Sequence, residues 1–395
     1  MTPIPLSPID HIFTGVGSYP IEFVFAYDGR LDVDRLKHSL EATLVHFPLL
    51  RSRLERVGEY SYRFRPADDG LTFEVIETAE SFDAVESRAA FLDSVESVEG
   101  EPLARIRLTQ TPGGAVLGVS VSHALVDGFS YFHFLSSWAR VHQGEDILPL
   151  SHERRPLIPD RASLRSGITP QDVVAASGVF WDERREVIDR DALRWDRFSL
   201  SDEQIKDLLK EAKEDCQGRL SFNDVIAAWL WRRYRETGGS QKNGLTYLSC
   251  PVDFRRILAS LPRNYFGCAV TLATTSLDRD ALAAASLGML ASRVREAVAR
   301  VGERYVIEAL GVLEALRRQE GRSVLEKCHV IHPRDGILVT NLSRLPVYDI
   351  AFDAGPPVAF DVQTAAPGGA VVLPAVRGLD VRICKYGGAR DSCGD

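Results

Sequence analysis

Apolar positions along the chain change rhythm several times, and each change marks an element. Ser7-Pro8 reads as a helix cap followed by proline at the first helical position. Ile21 to Tyr27 is a nearly continuous apolar and aromatic run that stops at Asp28-Gly29, which predicts a strand ending in a turn. Val33, Leu36, Leu40, Leu44 and Phe47 recur at helical spacing, and Pro48 closes that helix. Short strands are predicted around 51–56, 60–64 and 71–76, then a helix over 82–95. Two strands follow at 104–109 and 115–123, joined by Pro112-Gly113-Gly114, and lead into an aromatic-rich helix from Phe129 to Val141.

From about 143 to 194 the periodicity fades. Ser151-His152-Glu153-Arg154-Arg155-Pro156 opens a polar, proline-punctuated stretch that suits a crossover between domains. The rhythm restarts with a strand at 195–200, a helix over 202–212 capped by Ser201, and a capping box at Ser221 to Asp224 that opens a helix to about Arg235. A strand at 245–252, helices over 279–300 and 303–318, and strands at 337–340, 357–362 and 370–373 follow, with 379–384 closing a hairpin. The polar, glycine-rich residues 387–395 read as untethered. The expected organisation is α/β (α+β): a first domain over 1–150, a crossover over 151–194, and a second domain over 195–395, each a mixed sheet flanked by helices.

Bulk composition narrows the function. A chain of 395 residues that is 45% hydrophobic and 26% charged is long enough to bury two cores and reads as a soluble globular protein. A net charge of -8 offers phosphates no basic face, which argues against a nucleic-acid partner and against anionic membranes. No run of 18 apolar residues occurs, and the N-terminus lacks a basic region followed by an apolar one. The six cysteines contain no Cys-x-x-Cys pair, and Cys328-His329-Val330-Ile331-His332 lacks further ligands at metal spacing, so no metal is expected. A reducing cytoplasm is the expected location.

Chemistry concentrates in Val119-Ser120-Val121-Ser122-His123-Ala124-Leu125-Val126-Asp127-Gly128. An apolar strand carries His123 to its end, Asp127 lies four residues on, and Gly128 follows. A neutral imidazole there can take the proton of an alcohol or amine attacking a thioester carbonyl and return it to the departing thiolate, a general-base action that contributes about 100- to 10,000-fold. Asp127 either fixes the imidazole tautomer or points away to brace the turn through an arginine. Gly128 would permit an unusual backbone angle and close approach to substrate. No Ser or Cys nucleophile shows the expected local pattern, which favours direct transfer over a covalent acyl-enzyme. The bland reading of His123 is a satisfied core histidine. His142-Gln143-Gly144-Glu145-Asp146 has the same spacing but lies in a charged turn, without an apolar strand before it or a glycine after it, and reads as solvated loop. The aromatic residues of the helix after Gly128 read as core rather than as an acceptor pocket.

The His123-x-x-x-Asp127-Gly128 arrangement resembles the active-site motif of the BAHD-type acyltransferases, within the wider superfamily of chloramphenicol acetyltransferase-like folds. Similar segments follow in the family's order: Leu6-Ser7-Pro8-Ile9-Asp10, Phe47-Pro48-Leu49-Leu50-Arg51, the helix from Ser221 to Trp231, Pro251-Val252-Asp253-Phe254-Arg255, and Asn264-Tyr265-Phe266-Gly267. The resemblance implies two chloramphenicol acetyltransferase-like domains with the active site at their interface. It implies transfer from a coenzyme A thioester to a hydroxyl, or an amine, of a small specialised metabolite, by a monomer whose acyl-CoA is a co-substrate and which needs no other cofactor. It gives His123 the role of base and Asp127 that of a structural partner to Arg255 across the domain boundary. Asn341 or Ser343 would supply a hydrogen bond to the developing oxyanion. Two departures stand out. Ala351-Phe352-Asp353-Ala354-Gly355 keeps only the Phe and final Gly of a family motif regarded as architectural, and Ser122 occupies the position where condensation domains carry a second histidine. A stand-alone condensation-type enzyme using carrier-bound acyl groups, and a catalytically silent binding protein of the same fold, are the alternatives.

Overall fold

The computed structural model describes residues 4–84, 87–183, 188–216, 218–236, 244–364 and 366–387. Two large sheets organise it, one of five strands and one of six, with a three-stranded and a two-stranded sheet beside them. The five-stranded sheet runs in the order Ala359–Val362, Ile21–Tyr27, Gly114–Val121, Ala104–Thr111, Leu71–Glu77. Its central strand, Gly114–Val121, is buried along its whole length. Ala115, Leu117, Val119 and Val121 point into a core shared with helices α2 (Val33–Leu44) and α3 (Gly128–His142). The alternate positions face the opposite side, where an extended segment lies flat on the sheet.

That segment is the stretch expected to be helical over 82–95. Apart from 85 and 86, which lie outside the described residues, it forms a short 3-10 turn at Arg88–Phe91 and then runs extended. The sheet dictates this. A Cβ at Gly118 would sit 2.0 Å from the Phe91 carbonyl oxygen, so glycine is what allows backbone to lie on backbone. Ser120 Oγ accepts from Val95 N–H at 2.9 Å, and the hydroxyls of Ser97 and Ser122 meet at 2.7 Å. These bonds satisfy polar groups that a helix would have satisfied internally.

The six-stranded sheet runs Val270–Asp278, Leu245–Asp253, Gly336–Asn341, Gly369–Pro374, Leu379–Tyr386, Leu193–Leu200. Leu245–Asp253 and Gly369–Pro374 flank Gly336–Asn341 in parallel, and the remaining neighbours are antiparallel. Val270–Asp278 is a strand the sequence pattern did not announce. Its free edge is closed by side chains: Tyr305 Oη, Arg300 and Arg293 donate to the carbonyls of Leu272, Thr274 and Ser276. The single helix expected over 279–300 is two. Asp278 caps Arg279–Ala284, and Ser286 caps Leu287–Ala299 by accepting from Met289 N–H at 3.2 Å. In the crossover the chain also forms a helix, Pro170–Ser177, opened by a Thr169–Asp172 capping box.

The two halves exchange pieces. Ala359–Val362, from the second half, adds to the edge of the five-stranded sheet, with Phe360 opposite Phe25. Helix α1 (Pro8–Ile12), from the first half, packs in a core with Phe254, Leu272, Leu313 and Leu325. The boundaries at 150 and 195 therefore divide the sequence more cleanly than they divide the structure. Phe352 and Gly355, the survivors of the eroded motif, serve this exchange. Phe352 packs on Trp138, with centroids 4.9 Å apart, Gly355 adopts φ +82° in the turn that follows, and Asp353 pairs with Arg35 and with His142.

Candidate active site

The central strand ends at Val121, and the chain turns at once: Leu125 N–H and Val126 N–H both reach the Ser122 carbonyl. Asp127 then caps α3, with Oδ1 accepting from Ser130 N–H at 2.9 Å. Its Oδ2 accepts from Ala269 N–H at 2.9 Å and lies 2.7 Å from Arg255 Nη1. Both carboxylate oxygens are thus committed away from the His123 ring. Of the two roles open to Asp127, the geometry is that of a brace.

Arg255 is the centre of this brace. Its Nε donates to the Tyr265 carbonyl at 2.9 Å, its Nη2 to the Gly267 carbonyl at 2.8 Å and to Ser130 Oγ at 3.0 Å, and its Nη1 also reaches Asp253 at 3.1 Å. The guanidinium also lies 4.6 Å from the Phe129 ring centre. A planar fork with five donors suits this set, and a lysine could not reproduce it. The turn bearing His123, the start of α3 and the loop at 265–269 are consequently one hydrogen-bonded unit that crosses the boundary between the halves.

His123 is partly exposed, and its open side faces a cavity. Phe13, at the end of α1, stacks on the ring at 4.0 Å and 10°, while Tyr19 meets it edge-on at 6.0 Å. Cys268 Sγ lies 4.0 Å from Nδ1. Nε2 has no hydrogen-bond partner among the described residues. Burial lowers the imidazole pKa below its ordinary value, against smaller upward pulls from the residue's own backbone and from Asp127, so the ring is neutral at pH 7. Helix α1 is itself anchored by a buried ion pair. Asp10 caps it through Ser7 and lies 3.2 Å from Arg154 of the crossover, and this holds Phe13 in place.

The cavity beside His123 has a volume of about 160 Å³ and is bounded by both halves, including Phe23, Gly128, Phe132, Trp195, Leu338, Thr340, Leu342 and Val371. A wider vestibule of about 530 Å³ adjoins it, sharing Phe13, Tyr19, Val330, Ile331 and Ala366 and adding polar residues such as Asp182, His332 and Arg334. Gly128 lines the inner chamber, but not for the reason expected. It opens α3 and is absent from the glycines with positive φ, and a Cβ there would meet only Leu342 Cδ2 at 4.0 Å. Glycine leaves room there rather than permitting an unusual backbone.

The structure does not bring Asn341 and Ser343 to the chamber. Asn341 Nδ2 donates to Asn223 Oδ1 at 3.1 Å, and Ser343 Oγ donates to Asn341 Oδ1 at 2.7 Å. The two-residue alternation of the strand decides this. Ile337 and Val339 face the helices behind the sheet, and Asn341 follows them, while Leu338, Thr340 and Leu342 face the chamber. Thr340, which sequence reasoning passed over, is the hydroxyl that strand presents to the cavity. Counting parity from Val339 would have found it. Phe13, Tyr19 and Trp195 carried no local signal, because only the tertiary fold brings them to His123.

His142 also departs from expectation. It is buried at the last turn of α3, with Nδ1 3.0 Å from Ser39 Oγ and Nε2 2.9 Å from Asp353. Only the charged turn beyond it is solvated. Among the described residues, no group of three or more His, Cys, Asp or Glu side chains gathers as a metal site, and no helix is long and apolar enough to cross a membrane.

The chain matches known proteins in sequence and in fold. A sequence model described as the Transferase family matches residues 2–384. A hydroxycinnamoyltransferase of Narcissus pseudonarcissus is 26% identical over 374 residues, covering 89% of this chain and 83% of the relative. Putrescine hydroxycinnamoyltransferase 1 of Oryza sativa subsp. japonica is 27% identical over 342 residues, covering 82% and 76%. Among solved structures, F. graminearum TRI101 complexed with coenzyme A and T-2 mycotoxin superposes with a TM-score of 0.76 at 15% identity, over 98% of this chain and 95% of that one, which establishes the fold. The chain belongs to the Transferase family, the BAHD acyltransferases, and has their two-domain chloramphenicol acetyltransferase-like fold.

Proposed function

We propose that the protein transfers an acyl group from a coenzyme A thioester to a hydroxyl or amine of a small specialised metabolite, by direct attack with His123 as general base. One observation carries the reading. A neutral imidazole, with Nδ1 beside Cys268 Sγ, is held at the edge of a cavity between the halves with Nε2 unpartnered among the described residues. As the acceptor oxygen or nitrogen forms its bond to the thioester carbon, its proton passes to Nε2. When the C–S bond breaks, the imidazolium returns that proton to the thiolate. Thr340 is the candidate donor to the oxyanion between those two events. Phe13 fixes the ring plane, and Asp127 with Arg255 fixes the turn.

Acyl-CoA is the co-substrate, and the residues present call for no further cofactor. A monomer is the proposed working unit. The five described cysteines are free thiols, four of them buried, which suits a cytoplasmic location. The test is to incubate the purified protein with a panel of acyl-CoAs and mixed alcohol and amine acceptors, measuring free thiol and, by mass spectrometry, the acylated product. Stoichiometric thiol and product support the reading. Product from acyl-carrier proteins but not from acyl-CoAs overturns the choice of donor.

A further inference from the structure

The inner chamber specifies the charge of its guest. Among the described residues, its lining includes three ionisable side chains, Tyr19, His123 and Asp127. Tyr19 offers a phenol, and the imidazole is kept neutral by burial. Asp127 has one oxygen on Ser130 N–H and the other on Ala269 N–H and Arg255, so its charge is already compensated. Arg255, for its part, is fully engaged behind the turn and is not part of the lining. The remaining surface is mostly aliphatic and aromatic, relieved by Thr340 and Thr364. Among the described residues of the lining a carboxylate would find no cation and an ammonium no free anion, and an unpaired charge in such surroundings is strongly disfavoured. The volume of about 160 Å³ is close to the roughly 150 Å³ of an apolar cavity that holds one benzene ring. Among the described residues, charged side chains line the vestibule, where Asp182 and Arg334 lie.

We infer that the acceptor is an uncharged, predominantly apolar alcohol, whose hydroxyl-bearing end is about the size of one aromatic ring or a short branched chain. This rests on the acyl-transfer reading above and sharpens it, because it selects ester formation over amide formation. An aliphatic amine reaches the enzyme as a cation and must lose a proton before it can attack, and the chamber has no free carboxylate to take it in. An alcohol enters neutral. Its oxygen bonds to the acyl carbon, its proton passes to His123, the C–S bond breaks, and the thiolate leaves with that proton, giving an ester and free coenzyme A. Polar decoration on the far end of the acceptor belongs in the vestibule.

The experiment uses three compounds of matched shape: benzyl alcohol, benzylamine and 4-(hydroxymethyl)benzoate. Binding of each to the donor-free wild-type protein is measured by ligand-detected NMR, and transfer from acetyl-CoA and cinnamoyl-CoA is measured as product and thiol. Benzyl alcohol is expected to bind most tightly and to exceed both charged analogues by about 100-fold in kcat/KM. In the variant Leu342→Arg, a cation inside the chamber should erase most of the penalty on the carboxylate. If that variant does not fold, the wild-type binding order still decides. Equal or tighter binding of the amine or carboxylate overturns the inference, as does failure of all three to bind. Preferential binding of benzyl alcohol without thiol release from any donor would uphold the chamber's preference while contradicting acyl transfer, so the two failures are distinguishable.

Discussion

The same pattern, His-x-x-x-Asp, occurs at both ends of helix α3, and the two copies have opposite fates. At the N-terminal end the aspartate is structural. Asp127 caps the helix and joins Arg255, which leaves the His123 ring stacked on Phe13 and facing a cavity. At the C-terminal end the histidine is structural. His142 is consumed by Ser39 and Asp353, and Asp146 lies exposed beyond it. Spacing alone therefore carries little chemistry. The helix N-terminus supplies the difference, because its free N–H groups recruit the carboxylate and hold it off the imidazole.

Substitutions at the two ends should separate cleanly. His123→Ala is expected to lower kcat/KM by about 100- to 10,000-fold while leaving the melting temperature nearly unchanged. Asp127→Ala or Arg255→Ala leaves a buried charge without its partner and should cost about 3–5 kcal/mol in chemical denaturation, whereas Asp146→Ala should stay within about 0.5 kcal/mol. Thr340→Val should lower kcat by about 100-fold with KM little changed in steady-state kinetics, and Asn341→Ala should leave kcat close to wild type. His142→Ala should show the converse of His123→Ala, losing about 1–3 kcal/mol of stability while the folded protein keeps its kcat.

A third histidine sharpens the contrast through pH. His11 is buried at α1, with Nδ1 2.9 Å from the Ser7 carbonyl and Nε2 accepting from Tyr62 N–H, and burial, with a smaller push from Arg317, holds its pKa down at about 3. The unfolded chain binds a proton there near pH 6.5 and the folded chain does not, so stability falls as pH drops from about 6.5 towards 3, by up to about 1.4 kcal/mol per unit from this group. Melts at pH 7, 6 and 5 should show that slope, flattened in His11→Gln. His123 acts on rate instead. Because burial lowers its pKa, kcat/KM should fall only below the ordinary histidine range, and a midpoint above pH 6.5 would contradict the site described.

Much of this was legible in the sequence wherever a local rule determines the outcome. The strand leading to His123, the caps at Ser7 and Ser221, and the hairpin closed by 379–384 follow from periodicity and capping chemistry. What was not legible depends on partners distant in sequence. Residues 92–97 lie flat on the sheet because Gly118 and Ser120 of the central strand, and Ser122 just beyond it, receive this segment. Ala359–Val362 reads as a strand, yet nothing local says that it joins the first sheet. His142 resembled a loop residue because Ser39 and Asp353, which bury it, come from elsewhere in the chain. Asn341 and Thr340 differ by a single step of strand parity, so knowing the strand was not enough to know which side chain meets the cavity.

The most direct measurement compares thiol release from acyl-CoA, in the presence of an acceptor, by wild-type protein, His123→Ala and His142→Ala, each at a temperature where circular dichroism shows it folded. The expected result is release by wild type and His142→Ala alike, and a loss of about 100-fold or more in His123→Ala. Equal release by wild type and His123→Ala would contradict the assignment of that imidazole as the base.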